Sequence, residues 1–433
     1  MGDLKNFELT ADLCSMDPET LQEILAVFPR GSPALPAIDP GLSGWEDILF
    51  LANASPQPTE KIVLLCDLIV RIGEFLSLPD IEKNAIYTHN IVELRLNTFL
   101  KQQFTPYKNL DGLEDYFQSI KHDAPLIKIV VENGKVLPYW RSGDNVHMRR
   151  NTWQRTRSGT VSDMIQEAIT RHDINLPYRV VLYVNIGDKI ISDKYPILNF
   201  AKASSENGIL IPDWTFANAY KSQVAKTWGE QASTIGTECS EIPYSEKIDG
   251  IFFQGGDTSK GERKTNIRRN LKNLADLMPS DPKVTILIDK EPPTKATEWC
   301  KFKYLLDLPG AHPWSVRLKE LLLSHSLVIK VDLPDPWVNF YSPIFEPGVD
   351  YVRVTYVMDD VDPKRDATPW ARVPERAVLA TYKEIVRTAR GITEPEFMRI
   401  TQSAFMKVNA LTEDVVMGYF ANVIKRYIAE FYM

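Results

Sequence analysis

The chain contains no uninterrupted run of about 18 apolar residues, so no membrane-spanning helix is expected. The longest candidate, KIVLLCDLIVRIGEFLSL, is broken by Asp67, Arg71 and Glu74, as an amphipathic helix would be. Positive charge is not in excess: 50 Lys and Arg stand against 57 Asp and Glu, a formal net charge of −7. A nucleic-acid backbone calls for a basic surface, so no nucleic-acid partner is expected. Cysteine is scarce. Cys14, Cys66, Cys239 and Cys300 lie far apart with no C-x-x-C, which reads as reduced core thiols rather than a disulfide frame or a zinc site. His89, His122, His172 and His325 are scattered, so no metal constellation is read. Walker A, G-x-G-x-x-G and G-x-S-x-G are all missing. The start, MGDLKNFELTADLCSMDPETL, is acidic and has no apolar h-region, unlike a secretory signal. Asn6 stands where a myristoylation pattern wants Ser or Thr, and the final AEFYM is no retention signal. These absences lead to the expectation of a cytoplasmic protein.

What is present suits a globular protein. A chain of 433 residues, 44% hydrophobic and 25% charged, has material for two cores. Residues 1–120 read as helical. Asp17 and Pro18 open DPETLQEILAVF, and amphipathic segments follow at Glu60 to Leu76 and Asp80 to Phe104. Near residue 125 the pattern changes. LIKIVVENGKVLPYW carries Asn133-Gly134, a strong hairpin signal, and YRVVLYVNI is an apolar strand. Beyond Glu241 a second α/β pattern begins: GIFFQGG, RRNLKNLADLM, KVTILID, then KYLLDL and SLVIKV around a short helix, then YVRVTYVM. The end is helical. The expected fold class is α/β: two Rossmann-like domains facing each other across a cleft, with an N-terminal helical region and C-terminal helices. The expected boundaries are 1–120 helical, 121–243 first domain, 244–395 second domain and 396–433 C-terminal helices. Ligands of such sheets bind beyond the carboxyl ends of the strands.

Four stretches carry candidate chemistry. In LPGAHPWSVRLKELLLSHSLVIKV a turn leads to Ser315, a cap candidate, and then to Arg317 in the first turn of a helix whose apolar face is Leu318, Leu321 and Leu322. A cation there opposes the helix dipole by roughly 0.3–1 kcal/mol. It is either an ordinary surface arginine or one placed to meet a bound anion. FFQGGDTSKGERKTNIRR is a glycine turn followed by a basic, hydroxyl-bearing loop that suits a phosphate or is simply a solvated helix start. WRSGDNVHMRR sets Asp144 and His147 in a glycine turn; Asp144 is a candidate general base or an Asx-turn residue. MDDVD offers Asp360 and Asp362, a D-x-D pair that reads more readily as a surface loop than as a metal site.

Taken together, KYLLDLPGAHPWSVRLKELLLSHSLVIKVD and WVNFYSPIFEPGVDYVRV resemble glycosyltransferase family 90, which includes protein O-glucosyltransferases and capsule-associated xylosyltransferases. The likeness is carried by Lys303, Tyr304, Gly310, Ser315, Arg317, Trp337, Phe340, Tyr341 and Pro343. YPILNFAKASSENGILIPDWTF, NIGDK and FFQGGDTS add to it, over roughly residues 125–400.

The resemblance implies a GT-B fold and inverting transfer of glucose or xylose from a UDP-sugar to a glycan or protein hydroxyl. No metal and no other cofactor is implied. It would place Arg317 on the diphosphate, with Gly310, Ala311, His312, Trp314 and Ser315 around the nucleotide. Asn199 and Lys202 would lie on a strand and loop facing the sugar nucleotide. Gln254, Gly255 and Thr258 match the family's F-R-G-x-x-T-S, with Gln254 where the family has arginine; Arg263 or Arg268 would replace that cation. Asp144 matches the region of the family's catalytic Asp, and Asp188 is the second candidate. Without a signal peptide the expectation is a viral or microbial enzyme, in the host cytoplasm if viral. The alternative is a catalytically inactive sugar-nucleotide binder or scaffold of the same fold, to which Gln254 lends support.

Overall fold

A computed structural model describes residues 80–120, 124–137, 152–187, 190–217, 227–257, 267–289, 295–310, 315–333, 335–355 and 375–433. Two compact units divide the chain, Met1–Arg95 and Leu96–Met433. Of the first, residues 80–95 are described, as the opening part of helix α1 (Asp80–Phe104). The rest of this account concerns the second unit, which contains two five-stranded sheets.

The first sheet is built around the expected hairpin. β1 (Leu126–Glu132) turns through Asn133 and Gly134, with φ of 49° and 73°, into β2 (Lys135–Leu137). Positive φ at both turn residues is what Asn-Gly supplies most readily. Helix α2 (Leu113–Ser119) precedes this hairpin, and α3 (Thr152–Arg171) leads to β3 (Arg179–Asn185). Then come β4 (Leu198–Asn199), β5 (Ala201–Ala203) and β6 (Ile209–Leu210). The sheet order is β2-β1-β3-β4-β6. β1 is antiparallel to β3, whereas β3, β4 and β6 are parallel, so the sheet is mixed. Leu113 and Phe117 of α2 pack on Leu126, Tyr183 and Ile197.

Helix α4 (Trp228–Ser240), closed at its start by a Thr227–Glu230 capping box, leads to the second sheet. The strands and helices in order are β7 (Ile248–Gly255), α5 (Ile267–Leu277), β8 (Lys283–Ile288), α6 (Ala296–Trp299), β9 (Phe302–Asp307), α7 (Leu318–Leu322) and β10 (Leu327–Asp332). After β11 (Trp337–Asn339), β12 (Val352–Thr355) closes the edge. The order is β12-β10-β9-β7-β8 and every pairing is parallel. Strands buried on both faces of such a sheet read as near-continuous apolar runs, as YLL in β9 and LVI in β10 do. Helices α8 (Glu375–Gly391) and α9 (Glu394–Asn409) supply Val378, Tyr382, Ile385, Phe397 and Ile400 to this core. The last helix, α10 (Glu413–Phe431), returns to the first sheet. The Tyr419 hydroxyl donates to the Leu210 carbonyl at 3.0 Å, and the Tyr432 hydroxyl to Val181 at 3.0 Å.

Two features place the carboxyl edges of the sheets together. β5 continues from the carboxyl end of β4, and β11 from that of β10. The two pair antiparallel, Lys202 opposite Val338, so a short ribbon joins both edges. In the second sheet the first strand, β7, has β8 on one side and β9 on the other. The chain therefore reverses direction across the sheet between β7 and β9, and such a reversal opens a ligand crevice at the strand ends.

Two expectations are corrected. Cys239 and Cys300 are joined in a disulfide, Cα–Cα 5.5 Å, rather than being reduced thiols. They are 61 residues apart in sequence, and only the packing of α4 beside α6 brings them within reach. Cys14 and Cys66 lie outside the described residues. Ser315 does not cap α7. Arg317 occupies the N-cap, and the Ser315 hydroxyl accepts from the Arg317 backbone N–H at 3.3 Å. α7 is a single turn, so its dipole is small and the argument for an anion rests on Arg317 itself.

Below the amino edge of the second sheet, Lys247 is 5% exposed, and its ammonium donates to the Cys300 carbonyl (2.5 Å) and Ser326 hydroxyl (3.2 Å). Burial pushes its pKa down to about 8. The unfolded chain holds that proton to about pH 10.4. Between these values the unfolded state binds more protons, so stability rises with pH across this window. Lys247→Met should flatten that rise. Chemical denaturation at pH 7.5 and pH 10 checks it, and an unchanged slope would remove Lys247 as its source.

Candidate functional site

The carboxyl ends of β7 and β9 carry the crevice. β7 ends at Gln254 and Gly255 and β9 at Asp307; Gly310, Ser315 and Arg317 follow β9 in the chain. Gly255 has no room for a side chain: a Cβ there would stand 2.8 Å from the Phe253 ring and 3.2 Å from Arg268 Nη1. Two guanidinium groups flank that ring, Arg268 at 5.2 Å and Arg317 at 4.8 Å from its centroid.

The two arginines differ in what they hold. Arg268, on α5, donates to the carbonyls of Pro309 (2.9 Å), Gly256 (3.0 Å) and Leu308 (3.2 Å). It pins the β7 loop to the β9 loop. Burial, with the neighbouring Arg317 charge, pushes its pKa down to about 9, against the pull of Asp307. Arg317 donates from Nη1 to the Gln254 carbonyl. Its Nη2 is fully covered and has no partner among the described residues. Burial lowers the Arg317 pKa, while Asp307 and Glu320 oppose the shift. Arg317 as a whole is half-buried, but its covered Nη2 leaves a hydrogen bond unmade, which is costly unless a ligand completes it.

Two acids near it, Asp307 and Asp332, are buried, and Glu320 is half-buried. Asp307 is 4% exposed, and its Oδ1 lacks a partner. Burial raises its pKa, opposed by Arg317, Lys330 and the Ser315 hydroxyl. A cavity of about 20 Å³, room for about one water, separates Asp307 and Ser315 from Asp332 and Asn339. Lys330 bonds Asp332 at 2.5 Å beside it. Glu320, on α7, is also raised by burial, against Lys319 and Arg317.

Lys319 lies off the apolar face of Leu318, Leu321 and Leu322, yet it is a junction. It is 0% exposed. Its ammonium donates to the Thr215 hydroxyl (2.5 Å) and the Val316 carbonyl (2.8 Å), and lies 4.6 Å from the Phe216 ring centroid and 5.4 Å from that of Trp228. Thr215 and Phe216 belong to a 3-10 turn (Trp214–Phe216) just after β6. Lys319 therefore ties the first sheet's edge to the turn that carries Arg317. Phe216 also meets Phe340 at 5.2 Å and Tyr341 at 5.9 Å, which gives the F-Y-x-P stretch a packing role at the same junction.

On the first sheet, Asn199 is 1% exposed and ends β4. Its Oδ1 accepts from Asn185 Nδ2 (2.9 Å) and its Nδ2 donates to the Ile197 carbonyl (2.6 Å), so it braces two strand ends. The Lys202 ammonium donates to the Glu206 carbonyl at 2.6 Å, and burial lowers its pKa against Glu206. Arg157, on α3, stacks over Trp214 at 3.5 Å and donates to the Ile186 carbonyl (2.9 Å). Gln254, Gly255, Gly310, Ser315 and Arg317 are thus gathered at one crevice, while Asn199 and Lys202 lie at the ribbon end of the first sheet. Asp144, Asp188, Thr258, Arg263, Ala311, His312 and Trp314 lie outside the described residues, as do His147, Asp360 and Asp362. Among the described residues no group of three His, Cys, Asp or Glu could hold a metal, and no helix is long and apolar enough to cross a membrane.

The family model for glycosyl transferase family 90 matches residues 183–429, which span the crevice, the ribbon and the C-terminal helices. Protein O-glucosyltransferase 1 of Rattus norvegicus is 28% identical over 234 residues, 48% of this chain and 55% of the relative. The O-glucosyltransferase rumi of Drosophila melanogaster is 30% identical over 170 residues, 36% of this chain and 40% of the relative. The rumi homolog of Anopheles gambiae is 27% identical over 255 residues, 54% and 56%. The chain spans about half the length of these relatives. With more than half of its residues inside the family match, the chain belongs to glycosyltransferase family 90.

Proposed function

We propose that this chain is an inverting glycosyltransferase that moves glucose or xylose from a UDP-sugar to a hydroxyl of a protein or glycan, in a GT-B-like arrangement and without a metal. The observation that carries the reading is Arg317: a half-buried arginine with a covered, unpartnered Nη2, at the crevice where an α/β sheet takes its ligand. A diphosphate supplies the missing acceptor and the missing negative charge together. The O-glucosyltransferase names of its relatives favour glucose as the sugar.

In this reading Arg317 holds the diphosphate in the ground state and more strongly as UDP leaves with the bonding electrons. Preorganised charge of this kind stabilises a developing anion without reorganisation at the moment of reaction. Arg268 adds positive potential while fixing the loops, and so offsets Gln254, which stands where the family has arginine. A carboxylate removes the acceptor proton, and the freed oxygen attacks the anomeric carbon opposite UDP. Asp144 is assigned this role, with Asp188 second. A catalytically inactive UDP-sugar binder is the second reading, favoured by Gln254, and UDP release in the presence of UDP-glucose separates the two. The Cys239–Cys300 bond favours an oxidising setting over the cytoplasmic one.

Three outcomes are expected. Arg317→Ala should weaken UDP binding by about one to two orders of magnitude, since a hydrogen bond to a charged group contributes roughly 1.5–3 kcal/mol. Titration calorimetry measures this, and unchanged affinity would reduce the β9–α7–β10 unit to a core element. EDTA should leave UDP release intact; loss in chelator with rescue by manganese would contradict the metal-free mechanism. Asp144→Asn should lower transfer about 10²- to 10⁴-fold while sparing donor affinity. Transfer at the wild-type rate would move the role to Asp188.

A further inference from the structure

Asp307 is tied to both arginines of the crevice. It ends β9, whose Leu305 pairs with Phe252 of β7. Continued along the strands, that register sets Asp307 beside Gln254, whose carbonyl accepts from Arg317 Nη1. The residues that follow Asp307, Leu308 and Pro309, give their carbonyls to Arg268. Ser315, whose hydroxyl accepts from the Arg317 backbone N–H, lines the cavity of about 20 Å³ together with Asp307. Asp307 is 4% exposed, and its Oδ1 has no partner among the described residues.

Charges face this carboxylate from each element around it. Arg268 on α5, Arg317 at the start of α7 and Lys330 on β10 are cations, and Asp332 on β10 is an acid. The neutral hydroxyls of Tyr341 and Tyr351 face it as well. Beyond Arg317 stand Lys319, Glu320 and Asp213. Two of the other acids have their own cations. Asp332 is held by Lys330 at 2.5 Å and Arg353 at 3.2 Å, and Lys319 is the first counter-charge of Glu320. Burial raises the Asp307 pKa, and Arg317 is the first of the charges that oppose the rise. With Arg353 included, five cations stand against the four acids Asp213, Asp307, Glu320 and Asp332, which leaves one positive charge over. A nucleotide-sugar diphosphate brings a negative charge on each phosphoryl group and so overshoots that balance by one. A buried cluster with an excess negative charge takes up a proton more readily than it holds the charge.

We propose that Asp307 takes this proton: it yields Arg317 to the diphosphate and becomes a neutral acid, so that donor binding draws a proton from solvent and the departure of UDP returns it. The proposal rests on the reading of Arg317 as the diphosphate ligand. No bond changes other than the new O–H. Oδ1, the oxygen without a partner, carries the proton, and the cavity beside Asp307 has room for about one water to accept from it. Asp307 acts through Arg317 and is a positioning residue. Ionised, it holds the free guanidinium and competes with the ligand; protonated, it no longer competes.

The test is titration calorimetry of the full chain with UDP-glucose from about pH 6.5 to 8.5, in buffers of different ionisation enthalpy. The phosphoryl groups of UDP-glucose do not titrate there, unlike the terminal phosphate of UDP, with a pKa of about 6. A carboxyl group whose pKa rises on binding favours the complex at low pH. The wild type should therefore take up close to one proton per donor bound, and its affinity should fall by up to about ten-fold per pH unit as pH rises. In Asp307→Asn the uptake should vanish, the affinity should be flat with pH, and binding near pH 8.5 should be about ten-fold or more tighter than wild type. Glu320→Gln should keep the uptake. Wild-type binding with no proton uptake overturns the proposal and leaves the role of Arg317 standing. Uptake that persists in Asp307→Asn, or is lost in Glu320→Gln, assigns the proton elsewhere and overturns it too. Weaker binding in Asp307→Asn at every pH makes Asp307 a brace for Arg317 and nothing more. Should Asp307→Asn not fold, the wild-type proton count and Glu320→Gln decide. A wild-type chain that binds neither UDP nor UDP-glucose sinks the reading of Arg317, and this proposal with it.

Discussion

Arg317 holds a half-buried positive charge with one donor, Nη2, covered and unused. Everything around it exists to tolerate that state. The Gln254 carbonyl takes one nitrogen, the Phe253 ring lies 4.8 Å from the guanidinium, and Asp307 provides a buried counter-charge. Gly255 keeps the space that both guanidiniums need over that ring. None of these contacts satisfies Nη2. A fold that only required stability would do better with an apolar residue here, because isolated buried charges are expensive and seldom repaid by packing. The proposed diphosphate ligand, which carries its own negative charge, would offset that cost.

A charge held this way is useful only if the opposing sheet is held in register with it. The β5–β11 ribbon and the Lys319–Thr215 hydrogen bond provide that register. Both act at carboxyl ends of strands, where the chain leaves one sheet and meets the other. Lys319 is suited to the task because it can be buried without a carboxylate at contact distance: two oxygen acceptors and two aromatic rings surround its ammonium. Cation–π contacts of this kind gain strength when desolvated. The C-terminal helix adds a second tie through Tyr419 and Tyr432. The crevice at β7 and β9 and the opposing edge are thereby parts of one mechanical unit.

Much of this was legible in the sequence, and the illegible part has a common cause. The Asn133-Gly134 turn, the strand LVIKVD and the strand–loop–helix unit around Arg317 are written in local pattern, with period, turn chemistry and length agreeing. Arg317 stood out because a cation was set into apolar surroundings after a tight turn. Lys319 did not, since it falls off the face formed by Leu318, Leu321 and Leu322 and reads as solvated. It is buried by Phe216 and Trp228, about a hundred residues earlier in the chain, and no local period records that. The Cys239–Cys300 bond was hidden in the same way, by a spacing of 61 residues that means nothing until α4 meets α6. The strand order, and with it the crevice between β7 and β9, is likewise a property of tertiary pairing.

A crystal structure of the chain with UDP tests the central claim most directly. The account predicts a diphosphate oxygen within about 2.7–2.9 Å of Arg317 Nη2, the distance of a charge-assisted hydrogen bond, at the carboxyl ends of β7 and β9. UDP bound elsewhere, or Nη2 closed onto Asp307 with the nucleotide beyond its reach, would contradict it.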